Sequence, residues 1–149
     1  MKPLFPLFSL LGLLGFVASL VAHCYGLLKQ PSPFGGWVWA LHVGIFPLFF
    51  ALISCVPKTK PNDAKRDNVT ELMKELPLPV RVVMSVIFGY AILNFVLFMY
   101  QTSQYPKKAV PEWLAQRGFS GHWMVFYGVI FCGFWGLYLN SKKNEIKKS

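Results

Sequence analysis

Four long apolar stretches dominate the pattern of hydrophobic and polar positions along the chain. They cover residues 4–28, 37–56, 80–100 and 119–139, and the single charged residue inside them is Arg81, near the start of the third stretch. A hydrocarbon core ~30 Å thick is crossed by about 20 helical residues, so each stretch is long enough to span a bilayer. Transmembrane β-strands would alternate polar and apolar residues at every second position, which these stretches do not. The pattern predicts an all-α integral membrane protein.

The order of the stretches predicts how the helices pack. We expect a single membrane domain, residues 1–149, folded as an up-down-up-down four-helix bundle. The first stretch also has features of a signal peptide, because Lys2 precedes it and Ala22 lies near its end. Its length exceeds the ~7–15 apolar residues of a signal peptide, and Leu20 is a poor residue three positions before a cleavage site. We expect this stretch to be kept as the first membrane helix.

Lysine and arginine are distributed unevenly between the two sides of the predicted bundle. Eleven of the fifteen lie in or beside the N-terminal segment, the second loop (residues 57–79) and the C-terminal tail (residues 140–149), and four lie in the other two loops. Because positively charged loops stay in the cytoplasm, this bias predicts cytoplasmic N- and C-termini. A plasma or inner membrane and an organelle membrane fit equally well. We interpret the net charge of +9 as a basic cytoplasmic rim that contacts anionic lipid headgroups, and we expect no nucleic-acid partner.

Two of the loops carry helical signals of their own. In the second loop, residues 65–76 place apolar side chains at positions i, i+3, i+4 and i+7, which predicts a short amphipathic helix at the membrane interface. In the third loop, Pro111 is suited to the first turn of a helix. Gly118 could end that helix and Ser120 could cap the next one. This pattern predicts a short helix before the fourth span.

Polar side chains within the apolar stretches are the candidate functional residues. All three histidines of the chain, His23, His42 and His122, lie in these stretches. At 1.5 Å per residue, each lies about 7–10 Å from the middle of its helix, toward the extracytoplasmic side. The third helix contributes Asn94, with Tyr90 one turn before it. Since ionisable and amide groups in a bilayer avoid lipid, we expect these five side chains to face the interior of the bundle.

Neutral imidazole binds haem iron, chlorophyll magnesium, copper and zinc, so these histidines are candidate cofactor ligands. In an up-down bundle the second and fourth helices are diagonal, and His42 and His122 could hold a porphyrin such as haem b or a chlorophyll-type pigment between them. His23 could then bond a propionate, a quinone-like lipid or a substrate. Alternatively, His23, His42 and His122 converge on one metal ion.

Three functions stay open from the sequence alone. The first is a cofactor-binding or quinone-binding membrane protein, serving as a subunit of a membrane electron-transfer complex. The second is a non-catalytic accessory or scaffold protein that packs against other membrane subunits, with the histidines in structural roles at the interface. The third is a lipid-modifying enzyme that uses His122 as acid or base. No predicted span contains an acidic residue, so a hydrolytic metalloenzyme lacks an obvious general base.

Overall fold

The computed structural model describes residues 4–56, 76–106 and 109–146 of the 149-residue chain. Within these ranges the protein is all-helical and contains no strand. A 3-10 turn, Gly35–Trp37, precedes the second of four long helices. The helices, in chain order, are α1 (Phe5–Leu27), α2 (Val38–Cys55), α3 (Leu78–Ser103) and α4 (Glu112–Ile146). The all-α class predicted from the sequence is therefore confirmed.

All four helices are long and apolar enough to cross a membrane. Most of their large apolar side chains point outward: the exposed ones include Leu14, Val43, Phe50, Val86 and Val96. In water so much exposed apolar surface would drive aggregation, whereas in a bilayer it is solvated by acyl chains. The surface pattern therefore agrees with the length and composition of the helices.

Helix α4 lies at the centre of the packing, because α1, α2 and α3 all contact it. In its most apolar 18-residue window 56% of the residues are buried inside the protein, compared with 17% for α2 and for α3. The sequence analysis placed α2 and α4 diagonally across a bundle, but the two helices are in direct contact. Gly133 on α4 allows this approach, since a Cβ there would lie 2.7 Å from the Leu52 side chain of α2.

Small residues bring α1 and α4 together. A Cβ added at Gly12 would lie 2.6 Å from the backbone nitrogen of Phe131, and one added at Gly15 would overlap the ring of Tyr127. Ser9 on the same face of α1 donates a hydrogen bond to the Phe131 carbonyl, 3.2 Å away. Such stripes let membrane helices approach closely. The stripe of small residues on α1 therefore faces α4 of the same chain.

Helix α4 is longer than expected, because it runs without a break from Glu112 to Ile146. The prediction that Gly118 ends a short preceding helix is wrong. Gly118 instead makes room for α3, since a Cβ there would overlap the ring of Phe98. Pro111 does begin the helix, and its carbonyl accepts hydrogen bonds from the next turn. The interfacial helix predicted at residues 65–76 lies, except for Leu76, outside the described residues.

Candidate functional site

The three histidines lie toward the same end of the molecule but around different sides of α4. His23 on α1 contacts Ser120 of α4 and Tyr90 of α3. His42 on α2 contacts Trp123 of α4, and His122 lies on α4 itself. The structure therefore brings His42 and His122 to one cavity and separates His23 from them.

His23 belongs to a buried polar network that ties α1 and α3 to α4. Its side chain is 2% exposed. The Nδ1 atom lies 2.9 Å from Ser120 Oγ and 3.2 Å from the Arg117 carbonyl oxygen. A carbonyl oxygen only accepts, so Nδ1 carries the proton, and Nε2 accepts from the Tyr90 hydroxyl at 2.5 Å. Both ring nitrogens are therefore engaged within the protein, and neither has a lone pair for a ligand.

Asn94 joins the same network from α3. Its amide nitrogen donates to the carbonyl oxygens of Arg117 and Gly118, at 3.1 and 3.4 Å. We call His23, Tyr90, Asn94 and Ser120, with these two carbonyl groups, the His23 network. Satisfied polar networks of this kind rigidify helix packing. The structure thus brings Tyr90 and Asn94 to His23, and their bonds support a structural role.

A cavity of about 400 Å³ lies between α2 and α3, on the surface of α4. We call it the aromatic cavity. Its walls carry six phenylalanines and two isoleucines, together with Trp123 and the two histidines. The lining surface is almost entirely apolar, although two of the lining residues are the histidines His42 and His122. The phenylalanines are Phe46, Phe49, Phe50, Phe95, Phe119 and Phe126.

His42 has a hydrogen-bond donor that is not used within the described part of the protein. The indole nitrogen of Trp123 donates to His42 Nδ1 at 3.0 Å. An indole N–H cannot accept, so Nδ1 carries the lone pair and, in the neutral ring, the proton is on Nε2. That Nε2–H group has no hydrogen-bond partner in the part of the chain that the structure describes. The Phe119 ring holds the imidazole edge-on at 6.0 Å.

His122 has the opposite tautomer and offers an acceptor. Its Nδ1 lies 3.1 Å from the carbonyl oxygen of Gly118, one turn earlier in α4. The carbonyl can only accept, so Nδ1 carries the proton and Nε2 carries the lone pair. The ring of Phe95 packs edge-to-face on this imidazole at 4.7 Å. The two histidines that line the cavity therefore carry a donor on α2 and an acceptor on α4.

This geometry bears on the metal and porphyrin hypotheses. Among the described residues, which include all three histidines, no group of three or more His, Cys, Asp and Glu side chains could hold a metal ion. The expected convergence of His23, His42 and His122 on one metal therefore does not occur, because the His23 network occupies both nitrogens of that ring. Ligation of iron by His42 Nε2 would move its proton to Nδ1, where the Trp123 N–H already points.

Trp123 sets the tautomer of His42, and this role was not predicted from the sequence. A signal for it was present, because Phe119, Trp123 and Phe126 are spaced by four and three residues and so share one face of α4. Ser120 was assigned as a helix cap, but it lies inside α4 and bonds His23. Neither contact follows from spacing alone, since each depends on how a second helix is rotated.

Four apolar spans with lipid-type surfaces define the chain as a multi-pass membrane protein. No protein-family model, curated protein or solved structure matches it. The aromatic cavity and its two histidines are therefore the basis for a functional proposal.

Proposed function

We propose that the aromatic cavity binds the ring of a quinone-like lipid between His42 and His122. The observation that carries this proposal is the pair of opposite tautomers on its walls. A quinone carbonyl accepts from the Nε2–H of His42. The hydroxyl of the reduced hydroquinone donates to Nε2 of His122. A site with one donor and one acceptor therefore suits both redox forms of such a ring.

The size and lining of the cavity support the same ligand class. Pockets for small molecules commonly measure about 300–1,000 Å³, and this one measures about 400 Å³. Aromatic walls suit a planar ring, because ring edges and faces attract each other. Phe46 and Phe50 on the α2 wall are more than half exposed, so a lipid-soluble ligand has access from the bilayer. The role that follows is that of a subunit in a membrane electron-transfer assembly.

The proposed orientation places the histidine end of the helices in the extracytoplasmic half of the membrane. We infer an up-down-up-down arrangement with both termini in the cytoplasm, supported by the excess of Lys and Arg at the opposite end. Arg81, Lys142 and Lys143 lie in helices at that end. Anionic headgroups of the cytoplasmic leaflet are their proposed contacts.

A binding titration tests the proposal with one matched substitution. In His42→Asn the amide oxygen takes the position of Nδ1 and still accepts from Trp123, while the Nε2–H donor is lost. We expect decylubiquinone to quench tryptophan fluorescence of the detergent-purified protein saturably. The dissociation constant should rise about fivefold in His42→Asn, the effect of one lost hydrogen bond.

His23→Asn is the control, because it makes the same exchange outside the cavity. Its dissociation constant for decylubiquinone should equal that of the wild type. Quenching that does not saturate, or equal dissociation constants for the wild type and His42→Asn, would contradict the proposal.

A second candidate is a haem or a chlorophyll-type pigment held by His122 alone. The observation that favours it is the Nδ1–H bond to Gly118, since ligating histidines usually donate their other N–H to a carbonyl. This candidate predicts a Soret band, for haem, or a chlorin band, for the pigment, that is lost in His122→Asn and kept in His42→Asn. A colourless protein after expression with either cofactor would exclude it.

A further inference from the structure

A second pocket, of about 320 Å³, lies at the histidine end of the helices and is separate from the aromatic cavity. It is formed where α1 and α3 end and α4 begins. We infer that this pocket binds an anionic phosphate group, carried by a phospholipid headgroup or free in solution. The residues that carry the argument are Lys29, Gln101, Gln104, Tyr105, Trp113 and Arg117.

Two cations share this pocket without a counter-charge. Lys29 Nζ lies 5.5 Å from the centre of the Trp113 ring, and Arg117 Cζ lies 5.9 Å from it. Neither cation pairs with a carboxylate among the described residues; the ion pair found there, Lys142–Glu145, lies at the other end of α4. Like charges held on one ring repel each other, and an anion between them removes the repulsion.

Arg117 also has an unsatisfied donor. One of its terminal nitrogens donates to the side-chain oxygen of Gln101. Its Nε atom is buried and has no partner in the described part of the chain. A buried donor without a partner is rare in native proteins and points to a missing ligand or water. Phosphate oxygens match a guanidinium group well, because two parallel N–H bonds can form.

Lys29 is held in place by an unusual backbone conformation. Its φ is 56°, in the left-handed region that residues other than glycine and asparagine rarely adopt. This turn closes α1, since the Lys29 N–H donates to the Gly26 carbonyl and the Gln30 N–H to the Tyr25 carbonyl. Glycine is the usual residue at such a position, because it has no Cβ. Here the residue is a lysine, and its Nζ lies over the Trp113 ring.

The surroundings favour a phosphate at headgroup depth. Tyr105 and Trp113 are amphipathic rings at the ends of spans, where such rings anchor helices at the headgroup level. Gln104 adds an uncharged amide that can donate to further oxygens. The inference is independent of quinone binding, because no residue lines both pockets.

Thermal unfolding of the delipidated protein in dodecyl maltoside tests the inference. Three probes are titrated separately: dioctanoyl phosphatidylglycerol, dioctanoylglycerol, which lacks the phosphate, and potassium phosphate. We expect phosphatidylglycerol or phosphate to raise the unfolding midpoint saturably, because a ligand that binds only the native state stabilises it. A response to phosphatidylglycerol alone identifies a lipid headgroup, and a response to phosphate as well identifies a phosphate site open to soluble anions.

Variants that remove one positive charge show whether the rise in unfolding midpoint comes from ligand binding at this pocket. The half-saturating concentration should rise about fivefold in Lys29→Gln and in Arg117→Gln, as expected for the loss of one cation near a headgroup. Lys142→Gln removes the same charge at the opposite end, from a side chain that is 57% exposed, and should behave like the wild type. Should Arg117→Gln not fold, Lys29→Gln still decides the question, because Lys29 is exposed. Equal responses in all variants, an equal response to dioctanoylglycerol, or no response would overturn the inference.

Discussion

The face of α4 toward α1 and the face toward α2 use histidine in different ways. On the α1 side, both nitrogens of His23 are bonded to protein atoms. On the α2 side, His42 and His122 line the aromatic cavity, and each has one nitrogen bonded to protein and one without a hydrogen-bond partner among the described residues. An intramembrane histidine is therefore a candidate ligand only if its hydrogen bonds within the protein leave a ring nitrogen without a partner.

The two faces of α4 also differ in how closely the neighbouring helix packs on them. Glycines of α1 lie against the backbone and rings of α4, which brings these two helices close together at those positions. Large rings of α2 and α4, with Phe95 of α3, surround the aromatic cavity. The satisfied network therefore lies beside a close helix contact, and the two histidines with an unpartnered nitrogen lie beside a cavity. The following changes should separate the two faces, with the largest effect first.

Gly12→Ala should destabilise the protein most, by about 3 kcal/mol, because the added methyl meets backbone that cannot move aside without separating α1 from α4. Gly89→Ala on α3 is the matched control, since nothing lies within 4 Å of a Cβ there. The control should be neutral or stabilising, because alanine favours helix over glycine. Unfolding midpoints in detergent measure both changes. Equal midpoints for the two variants would show that α1 and α4 are not closely packed.

His23→Ala should come next, with a loss of about 2 kcal/mol, because Tyr90 and Ser120 lose a shared partner in a buried network. His122→Ala should cost about 1 kcal/mol or less, since the Gly118 carbonyl it releases keeps its bond within the helix. The same unfolding measurement compares them. A larger loss for His122→Ala than for His23→Ala would reverse the assignment of structural and available histidines.

The smallest effect concerns the partner of Trp123. His42→Ala leaves the buried indole N–H without an acceptor, whereas His42→Asn supplies an amide oxygen in its place. We expect His42→Ala to be less stable than His42→Asn by about 1 kcal/mol. Near-ultraviolet circular dichroism of the tryptophans and the unfolding midpoint both report on this bond. Identical behaviour of the two variants would mean that Trp123 does not fix the tautomer of His42.

The sequence predicted the helices well and the site only in part. An apolar stretch of about 20 residues with few or no charges predicts a membrane span, and this prediction does not depend on how the helices pack. The glycines at which α1 meets α4 are also visible in the sequence, and small residues let membrane helices approach closely. Helical rise gave the height of each histidine but not the direction of its ring, so His23 could not be separated from His42 and His122. Gly118 was misassigned because a glycine that ends a helix and one that admits a neighbouring ring look the same in sequence.

The tautomer of His42 was also beyond the sequence, since it is set by a contact formed in the fold. Trp123 comes from a different helix than His42, and their positions are 81 residues apart. The bond from His122 to Gly118 is local, and a histidine four residues after a glycine in a helix gave a signal for it. The contact between Trp123 and His42 depends on how α2 is rotated about its axis. Packing against α4 sets that rotation, and the sequence alone does not show it.

The most direct test of a donor–acceptor pair is the effect of His122→Asn on the two redox forms of one ligand. The asparagine amide keeps the bond to Gly118 but removes the Nε2 acceptor. We predict that the dissociation constant of decylubiquinol, the hydroquinone, rises about fivefold while that of decylubiquinone is unchanged, because only the hydroquinone donates a hydrogen bond. Equal changes in both constants, or no change in either, would contradict the assignment of His122 as the acceptor.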